Sequence, residues 1–479
     1  MLPREGTPAG ELIERLGELR EADQPTTGGR AWQYSYDPAR PEVKRLASEA
    51  FAIGLGANAL DPTAFPSVMA LENEVVAMAA GLLGGGPGTA GTFTSGGTES
   101  IFLAVKAARD ARPDVEHPRM VVPLTAHGAF HKAAHYLRVE LVSAELDPVS
   151  MRADLDSVRA AIDGSTVLVV ASAYGFAHGV IDPVEEIAAL AAERGIPCHV
   201  DACMGGLMLP FLRELGEPIR PFDLSVPGVT SLSADLHKYG YAHKGASVIL
   251  FADADLRRGS YYASARWPGY TLVNTTVQSS RSGGPLAGAW AVMRHLGRDG
   301  YLELARRALE ATRRVRAGVD AIPELRVVGE PDANVMALAA ADESRLDVFV
   351  VSDLLRAERW FLTPQLSFGP SPRNLNLTVD SGGLDGADGL VAALGEAVGE
   401  ALRRGPLDLD PALVDEIRGL DARTLDAAGF GALLERTGVS IESGFAVVNN
   451  LLDAASPEVR EAIVLGFLGS LFPPAAVAA

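Results

Sequence analysis

The stretch Ser233-Ala-Asp-Leu-His-Lys-Tyr-Gly-Tyr241 indicates the fold of this chain, because a predicted apolar strand ends in it and Lys238 follows. Of the 42 Lys and Arg residues only five are lysines, so arginine is used wherever a cation suffices. Arginine stays protonated, whereas a desolvated lysine amine can lose its proton and form a Schiff base. A lysine in this setting suggests an imine with pyridoxal phosphate. The five lysines are Lys44, Lys106, Lys132, Lys238 and Lys244.

Apolar runs on both sides of this stretch predict further strands. Helical patterns such as 99–109 and 184–194 lie between the runs. Alternation of this kind predicts an α/β fold, with a mostly parallel sheet covered by helices on both faces. Ligands of such sheets bind beyond the carboxyl ends of the strands, where Lys238 is expected. The predicted strands are 120–123, 167–171, 198–201, 231–234 and 247–251.

The length of 479 residues is enough for two or three domains. We predict an N-terminal arm with helices over 1–75 and a large cofactor-binding domain over 76–310. A smaller C-terminal α/β domain is predicted over 311–479, with short strands at 335–338 and 375–379. Residues 406–411 are predicted to connect this domain to terminal helices.

Charge and cysteine content exclude several classes of function. The 42 basic and 61 acidic residues leave a net charge of −19, which disfavours nucleic acid and anionic membrane surfaces as partners. Cys198 and Cys203 are predicted to be unpaired, and no zinc-site spacing or other metal site is found. The N-terminus lacks a signal-peptide core, and the uncharged stretch 462–479 is interrupted by Pro473-Pro474. We therefore expect a cytoplasmic protein with a buried C-terminal helix, a frayed tail and no membrane span.

The segment Thr94-Ser-Gly-Gly-Thr-Glu-Ser100 precedes a predicted helix. Its two glycines allow close approach of a ligand, and the helix N-terminus favours a phosphate. An ordinary glycine-rich turn with a threonine cap is the alternative. The nearby Gly86-Pro-Gly-Thr-Ala-Gly91 is rejected as a dinucleotide site because it follows a helical pattern rather than a strand. A nicotinamide oxidoreductase is therefore disfavoured.

Two further residues follow predicted strands. Asp201 ends the apolar strand of His199-Val-Asp201 and could keep a pyridine nitrogen protonated, or could cap the next helix. His127, after the strand 120–123, could stack on a pyridine ring or could be a solvated loop histidine. His237 could donate to a cofactor phosphate. Lys244 could bind an anionic substrate or could be an ordinary surface charge.

Three segments together resemble the sphingosine-1-phosphate lyase family, in the group II decarboxylase branch of fold-type I pyridoxal phosphate enzymes. They are Thr94-Ser-Gly-Gly-Thr-Glu-Ser100, His199-Val-Asp-Ala-Cys-Met-Gly-Gly206 and the stretch 231–245. Stretches 29–31, 58–66, 179–183 and 280–284 also match, so the resemblance covers most of the chain. It implies a homodimer with active sites shared at the interface, a small-molecule amine substrate and retro-aldol cleavage to an aldehyde and an amine.

The resemblance also implies roles for individual residues. Lys238 would form the imine, Asp201 would pair with the ring nitrogen and His127 would stack on the ring. The phosphate would be held by Gly97, Thr98 and His237, completed by Ser279 and Ser280 from the partner subunit. Tyr36 and Asn58 match substrate-pocket positions, and Tyr241 and Lys244 match positions near the substrate's phosphate.

One departure from the family concerns the substrate. The family pattern Asn-Pro-Leu-His reads Asn58-Ala-Leu-Asp61 here, so a pocket histidine is replaced by a carboxylate. A carboxylate repels a phosphate, but it could attract an amine or act as a base if its pKa is raised. For retro-aldol cleavage the base could be Lys238, Tyr36 or Asp61. An L-amino-acid decarboxylase is the alternative enzyme, and a non-catalytic dimeric scaffold is the alternative of another class.

Overall fold

The computed structural model describes residues 2, 4–407, 409–422 and 444–472. The predicted tail with Pro473-Pro474 lies outside the described residues. The helices are α1 Ala9–Arg20, α2 Pro41–Gly54, α3 Pro66–Leu82, α4 Gly97–Asp110, α5 Ala129–Leu137, α6 Leu155–Ala161, α7 Val184–Ala192, α8 Leu209–Glu214, α9 Ala254–Gly259, α10 Gly284–Asp320, α11 Val348–Ala357, α12 Gly383–Arg404, α13 Pro411–Arg418, α14 Ala446–Ala454 and α15 Pro457–Leu471. The strands are β1 Ala90–Thr94, β2 Arg119–Pro123, β3 Glu140–Ala144, β4 Thr166–Ser172, β5 Cys198–Asp201, β6 Val229–Ala234, β7 Ser247–Phe251, β8 Tyr262–Ser264, β9 Leu272–Asn274, β10 Leu325–Val327, β11 Val335–Ala340, β12 Thr363–Gln365 and β13 Asn374–Thr378.

The large sheet has seven strands in the order β1-β7-β6-β5-β4-β2-β3. Strands β6, β5, β4, β2 and β3 run parallel to one another, and β7 runs antiparallel to both of its neighbours. The predicted mostly parallel α/β fold is confirmed. All five strands predicted in this region are present, and β1 and β3 were not predicted.

The central strands are apolar on both faces because helices cover both sides of the sheet. In β4, Thr-Val-Leu-Val-Val-Ala-Ser, every residue is buried. Two groups of buried side chains flank the sheet. The larger contains Val169 and Val200 with α7 residues such as Ile187, and the smaller contains Val170 with α4 and α5 residues. Burial on both faces fixes the strand ends, and therefore fixes the loops that follow them.

A second, antiparallel sheet has the order β10-β11-β13-β12 and packs with α11 and α12 around its own buried core. Helices α13, α14 and α15 share a further small apolar cluster that includes Ile417 and Val459. The predicted domain limits at 75 and 310 fall inside helices α3 and α10 rather than in linkers. The predicted division of the chain into three parts, with limits at 75 and 310, stays a prediction.

Cys198 and Cys203 are both free, as predicted, and both are buried. Over the ranges that the structure describes, no helix is long and apolar enough to cross a membrane.

The carboxyl ends of β2, β4, β5 and β6 lie at one edge of the sheet because these strands are parallel. Strand β1 pairs antiparallel with the reversed β7, so its carboxyl end lies at the same edge. Ser172 and Asp201 are the last residues of β4 and β5, and the segments after β2, β6 and β1 carry His127, Lys238 and Gly96-Gly97. This edge positions the candidate active site.

Candidate active site

A cavity of about 320 Å³ lies at this edge of the sheet. Its volume falls at the lower end of the range for small-molecule sites. Residues from five different strand ends meet in it, although they are separated by more than a hundred positions in sequence. Six predicted site residues line this cavity, which we call the lysine cavity: Gly97, Thr98, His127, Asp201, His237 and Lys238.

The N-terminus of α4 forms one wall of the lysine cavity. The helix begins at Gly97, two residues earlier than predicted, and Gly96 precedes it. A Cβ at Gly97 would lie 2.6 Å from Sγ of Cys203 and 3.0 Å from Oδ1 of Asp235, so a larger residue would collide there. The N–H groups of the first helical turn belong to this wall, and such groups favour an anion such as a phosphate.

Buried hydroxyl groups hold the turn between β1 and α4. Oγ1 of Thr94 lies 2.6 Å from Oγ of Ser100, which lies 3.1 Å from Oγ of Ser247. The Ser247 hydroxyl in turn donates to the carbonyl of Ala234 at 3.0 Å. This series of hydrogen bonds connects α4 to β7 and β6, so the helix N-terminus is fixed relative to the strand that precedes Lys238.

Lys238 is paired with Asp235, a residue of the stretch 233–241 to which no role was assigned from the sequence. Nζ of Lys238 lies 3.0 Å from Oδ2 of Asp235, and Nε2 of His237 lies 3.5 Å from the same oxygen. The Asp235 side chain is only 3% exposed. Burial is the largest single influence and opposes a charge on Lys238, but Asp235 and the other acidic groups around the amine together outweigh it and raise the pKa of Lys238. The pKa of Asp235 is lowered, because the charges of Lys238 and His237 outweigh its burial.

Asp201 belongs to a buried polar network behind the cavity. Its Oδ1 accepts from N of Cys203 at 3.0 Å and from Oγ of Ser233 at 3.4 Å. The bond from N of Cys203 is of the kind expected if Asp201 caps the segment that follows β5. Asp201 also lines the lysine cavity, so it is available to a ligand there. His199 bonds to Oγ of Ser231 at 2.9 Å and to Oγ of Ser233 at 3.2 Å. Burial lowers the pKa of His199 to about 4, so this histidine is neutral.

His127 lies at the rim of the lysine cavity and is exposed. Its Nδ1 accepts from N of Ala129 at 3.1 Å at the start of α5. The bond ties the His127 ring to the start of α5.

Tyr36 and Lys244 lie beside the lysine cavity. Nζ of Lys244 is 4.7 Å from the centre of the Tyr36 ring, and the Tyr36 hydroxyl lies 3.6 Å from Sδ of Met204. Burial raises the pKa of Tyr36 to about 12, with Lys238 acting in the opposite direction. Partial burial, and then the charge of Lys238, lower the pKa of Lys244 to about 8. Tyr241 is buried in the core of the large sheet, and the cavity lining does not include it.

The other predicted residues lie along a neighbouring cleft, which we call the loop cleft. It is formed where the loop 58–61 packs on the segment 278–282, and it is joined by N of Ala59 donating to O of Arg281 at 2.8 Å. Ser279 and Ser280 are exposed and line adjoining parts of this cleft, with volumes of about 340 and 360 Å³. Asn58 holds the loop by accepting from N of Leu60 at 3.0 Å.

Asp61 does not face the lysine cavity in the single chain. Its Oδ1 accepts from N of Thr63 at 2.9 Å, from Oγ1 of Thr63 at 2.5 Å and from N of Ala64 at 3.2 Å. The side-chain bond from Thr63, followed by the two backbone bonds, lowers the pKa of Asp61. The raised pKa on which its suggested role as a base depended is therefore not found in this chain.

The remaining lysines have structural partners. Lys44 pairs with Oδ1 of Asp37 at 3.0 Å. Lys106 donates to the carbonyls of Gly259 at 3.0 Å and Tyr261 at 2.6 Å, a task that suits three donors on a compact ammonium. The scarcity of lysine thus marked two structural lysines, Lys44 and Lys106, in addition to the two at the site.

These residues fit a phosphorylated aldehyde cofactor. Only glycine fits at position 97, because a Cβ there would collide with Cys203 and Asp235. Gly97 is the first residue of a 14-residue helix, whose N-terminus suits the cofactor phosphate. A buried amine, Lys238, and a strand-end carboxylate, Asp201, share the same cavity. An anion site, a nucleophilic amine and an acid for a ring nitrogen are the three elements that such a cofactor needs.

Comparison with known proteins agrees with this arrangement. Residues 26–339 match the pyridoxal-dependent decarboxylase conserved domain, which is more than half of the chain. The chain belongs to the pyridoxal-dependent decarboxylase family. Its cofactor is pyridoxal phosphate, as the sequence predicted. Residues 411–470 match a C-terminal HTH domain of pyridoxal-dependent enzymes.

Sphingosine-1-phosphate lyases are among the similar proteins. The lyase of Dictyostelium discoideum is 40% identical over 362 residues, which cover 75% of this chain and 68% of that protein. The structure of a sphingosine-1-phosphate lyase from Burkholderia pseudomallei K96243 matches with a TM-score of 0.79 and 37% identity, covering 84% of this chain and 93% of that one. The chain spans between 59 and 68% of the length of the first curated lyases that it matches.

A decarboxylase is also similar. A probable L-tyrosine/L-aspartate decarboxylase of Methanothermobacter thermautotrophicus is 39% identical over 312 residues, covering 65% of this chain and 83% of that protein. The family resemblance inferred from the sequence is thus confirmed, and the similar proteins include both lyases and a decarboxylase.

Proposed function

We propose that this chain is a pyridoxal phosphate-dependent carbon–carbon lyase that cleaves a phosphorylated long-chain amino alcohol to an aldehyde and a phosphorylated amine. The observation that carries the proposal is the meeting of Lys238, Asp201 and the α4 N-terminus in one cavity. Similarity to a sphingosine-1-phosphate lyase structure over 93% of that chain directs the choice of reaction.

Six residues would hold the cofactor in this proposal. The N-terminus of α4 at Gly97 and Thr98 binds the phosphate, and Lys238 binds the aldehyde carbon. Asp201 holds a proton on the ring nitrogen, and its Ser233 contact orients its carboxylate. When bound, the ring accepts the electron pair of the bond broken at the substrate's Cα. His127 at the rim stacks on the ring and His237 donates to the phosphate.

Retro-aldol cleavage also requires a base for the proton of the substrate's β-hydroxyl group. Tyr36 has a pKa of about 12 and keeps its proton, so it suits a hydrogen-bond donor better than a base. Asp61 has a lowered pKa and is turned towards solvent. Lys238 is the remaining candidate. Asp235, 3.0 Å from Nζ, stabilises the ammonium that forms when the amine takes the proton.

The substrate's phosphate is assigned to Lys244. Its ammonium lies over the Tyr36 ring, where the cation is held by the ring face without a carboxylate partner among the ion pairs of the described chain. An unpaired cation next to the cavity suits an anionic group on the substrate.

Decarboxylation of an L-amino acid is the second candidate. The similarity to the archaeal decarboxylase favours it, because this chain covers 83% of that protein. Asp61 in place of the family histidine also favours it, because a carboxylate at a substrate-pocket position of the family repels a phosphate. The lyase remains preferred, because the lyase similarity extends over 75% of this chain against 65% for the decarboxylase.

We also propose a cytoplasmic homodimer whose active sites are shared at the interface. Ser279 and Ser280 are exposed in the single chain and do not line the lysine cavity. The preceding segment exposes large apolar side chains, which a second copy would cover. These side chains are Tyr262, Trp267, Tyr270, Val273 and Val277. The unpaired cysteines suit a reducing compartment.

The test is to supply sphingosine 1-phosphate beside L-tyrosine and L-aspartate and to measure both aldehyde and carbon dioxide. The proposal predicts aldehyde from the phosphorylated amino alcohol and no carbon dioxide above the level without enzyme. Carbon dioxide from either amino acid, with no aldehyde, would replace the lyase by the decarboxylase. Heat-treated protein loaded with the same cofactor is the control for uncatalysed reaction.

A further inference from the structure

Glu99 is a buried acid at the third position of α4, beside the predicted phosphate site. It is 7% exposed. Its Oε2 accepts from N of Ser95 at 2.7 Å, in the turn that leads into the helix. Its Oε1 accepts from N of Val277 at 2.8 Å and from N of Gln278 at 3.2 Å. One carboxylate therefore holds two segments that are about 180 positions apart in sequence.

The hydrogen bonds of Glu99 join backbone N–H groups to a carboxylate. Hydrogen bonds to an ionised acceptor are about twice as strong as neutral ones. A buried charge is costly unless it is fully bonded. No ion pair of Glu99 occurs in the described part of the chain, so the three backbone N–H groups and the helix N-terminus provide its stabilisation. The carboxylate thus fixes both backbones.

The second segment that Glu99 holds leads directly to Ser279 and Ser280. These serines lie on the loop cleft and are exposed, whereas Ser95 lies between the two regions and lines both the lysine cavity and the loop cleft. Val277 itself is 62% exposed, although its N–H is bonded to the buried Glu99. The backbone is held from inside while the side chain is presented outward, as expected for a segment that a second copy covers.

We infer that Glu99 is a positioning residue that couples the two active sites of the dimer. It fixes the phosphate turn of its own site to the segment that completes the site of the second copy. The inference rests on the proposed pyridoxal phosphate site and homodimer. It adds a residue whose loss in one subunit weakens cofactor binding in the other.

The first experiment measures the affinity for pyridoxal phosphate of the Glu99→Gln variant, by titrating cofactor-depleted protein and following absorbance. In this variant the amide N–H₂ group replaces one carboxylate oxygen. It is a donor and cannot accept the hydrogen bond of the backbone N–H group that it faces. We expect the dissociation constant to rise about tenfold or more, the size of a lost hydrogen bond to a charged group. Glu185→Gln is the matched control, because Glu185 lies in the first turn of α7 and is exposed. An unchanged affinity in Glu99→Gln would overturn the inference.

The second experiment separates the two subunits with different affinity tags. In the test heterodimer one subunit is wild type and the other carries Glu99→Gln with Lys238→Ala. In the control heterodimer the second subunit carries Lys238→Ala alone. Only the wild-type subunit can then form a borohydride-stable link to the cofactor. We expect the test heterodimer to need about tenfold more pyridoxal phosphate for half-maximal labelling than the control. Equal labelling curves would show that Glu99 acts only within its own subunit, which contradicts the inference.

Two further measurements separate loss of the proposed coupling from loss of stability in Glu99→Gln and from failure of the proposed function. If Glu99→Gln melts at a clearly lower temperature than Glu185→Gln, Glu99→Asp replaces it, because it keeps the charge at the helix N-terminus and is too short to hold both segments. We expect the same shift in labelling from this variant, and wild-type labelling would overturn the inference. Failure of wild-type protein to link the cofactor through Lys238, or to form a dimer, would instead overturn the proposed function.

Discussion

The lysine cavity and the loop cleft are built in different ways. Residues of the lysine cavity follow strands of one sheet, and buried bonds such as those of Asp235 and Ser233 hold them. The loop cleft consists of two surface loops held by a few backbone bonds, and its Asp61, Ser279 and Ser280 are exposed. A sheet places its strand-end residues within one chain, whereas loops of this kind need a second surface to complete them.

The comparison implies that chemistry and selectivity reside in different places. Substitutions in the lysine cavity should lower turnover, because the groups there hold the cofactor or the lysine that reacts. Substitutions in the loop cleft should change which substrate is preferred while leaving the chemistry intact. The following predictions test this division, from the largest expected effect to the smallest.

Replacing Lys238 should have the largest effect. We expect Lys238→Ala to lose the covalent link to pyridoxal phosphate and to lower turnover by about a thousandfold or more, because both the linking amine and the base are removed. Absorbance of the purified protein and product formation measure the two effects. Lys132→Ala, at an exposed surface lysine, is the control. Normal turnover in Lys238→Ala would defeat the assignment of the lysine cavity as the reaction centre.

Asp235→Asn should affect linkage and turnover in opposite directions. Asp235 raises the pKa of the Lys238 amine, so its removal should let a neutral, nucleophilic amine form at lower pH. We expect faster cofactor linkage at neutral pH, together with turnover reduced about tenfold because the protonated amine is no longer stabilised.

The linkage rate is measured across pH in the variant and in Asp223→Asn. Asp223 is a buried acid paired with Arg213 outside the cavity, and it serves as the matched control. A linkage rate with the wild-type pH dependence in Asp235→Asn would remove Asp235 from the proton chemistry.

Lys244 should make substrate binding depend on pH. Its pKa of about 8 means that the ammonium is charged below that pH and loses its charge as the pH rises through it. We expect KM for a phosphorylated substrate to rise about fivefold to tenfold above this pH in the wild type. Lys244→Arg should keep KM flat there because a guanidinium stays charged. Lys244→Gln should show a high KM at all pH values. A wild-type KM that does not change between pH 7 and about 9 would contradict the phosphate contact.

Asp61→His should have the smallest effect, confined to substrate preference. A histidine adds a group that can be positive near neutral pH, where the carboxylate is negative. We expect kcat/KM to shift about threefold towards phosphorylated amino alcohols over unphosphorylated ones, the scale of an exposed charge contact. Unchanged ratios across a panel of both substrates would mean that the loop cleft does not select substrate.

Much of the large sheet could be predicted from the sequence because its central strands are buried on both faces. Strands Cys198–Asp201 and Ser247–Phe251 have the predicted bounds. Strands Ala90–Thr94 and Glu140–Ala144 were missed, and these are the two edges of the sheet. Edge strands have fewer apolar residues, and a pattern of buried residues identifies them poorly.

The residues of the site divide in a similar way. Lys238 and Asp201 could be predicted because Asp201 ends an apolar run and Lys238 lies shortly after another. Asp235 lay within the quoted motif, but its contact with the lysine arises only when the residues after β6 form a turn. The role of Glu99 could not be found, because two of its three partners lie 178 and 179 positions away and donate through backbone N–H groups that leave no mark in the sequence.

The most direct test of the account is borohydride reduction of the protein loaded with pyridoxal phosphate, followed by peptide mapping. The account predicts one modified residue per chain, Lys238, in the peptide that contains Asp235 and His237. Label on Lys244 or another lysine, or no label in protein that binds the cofactor, would contradict it.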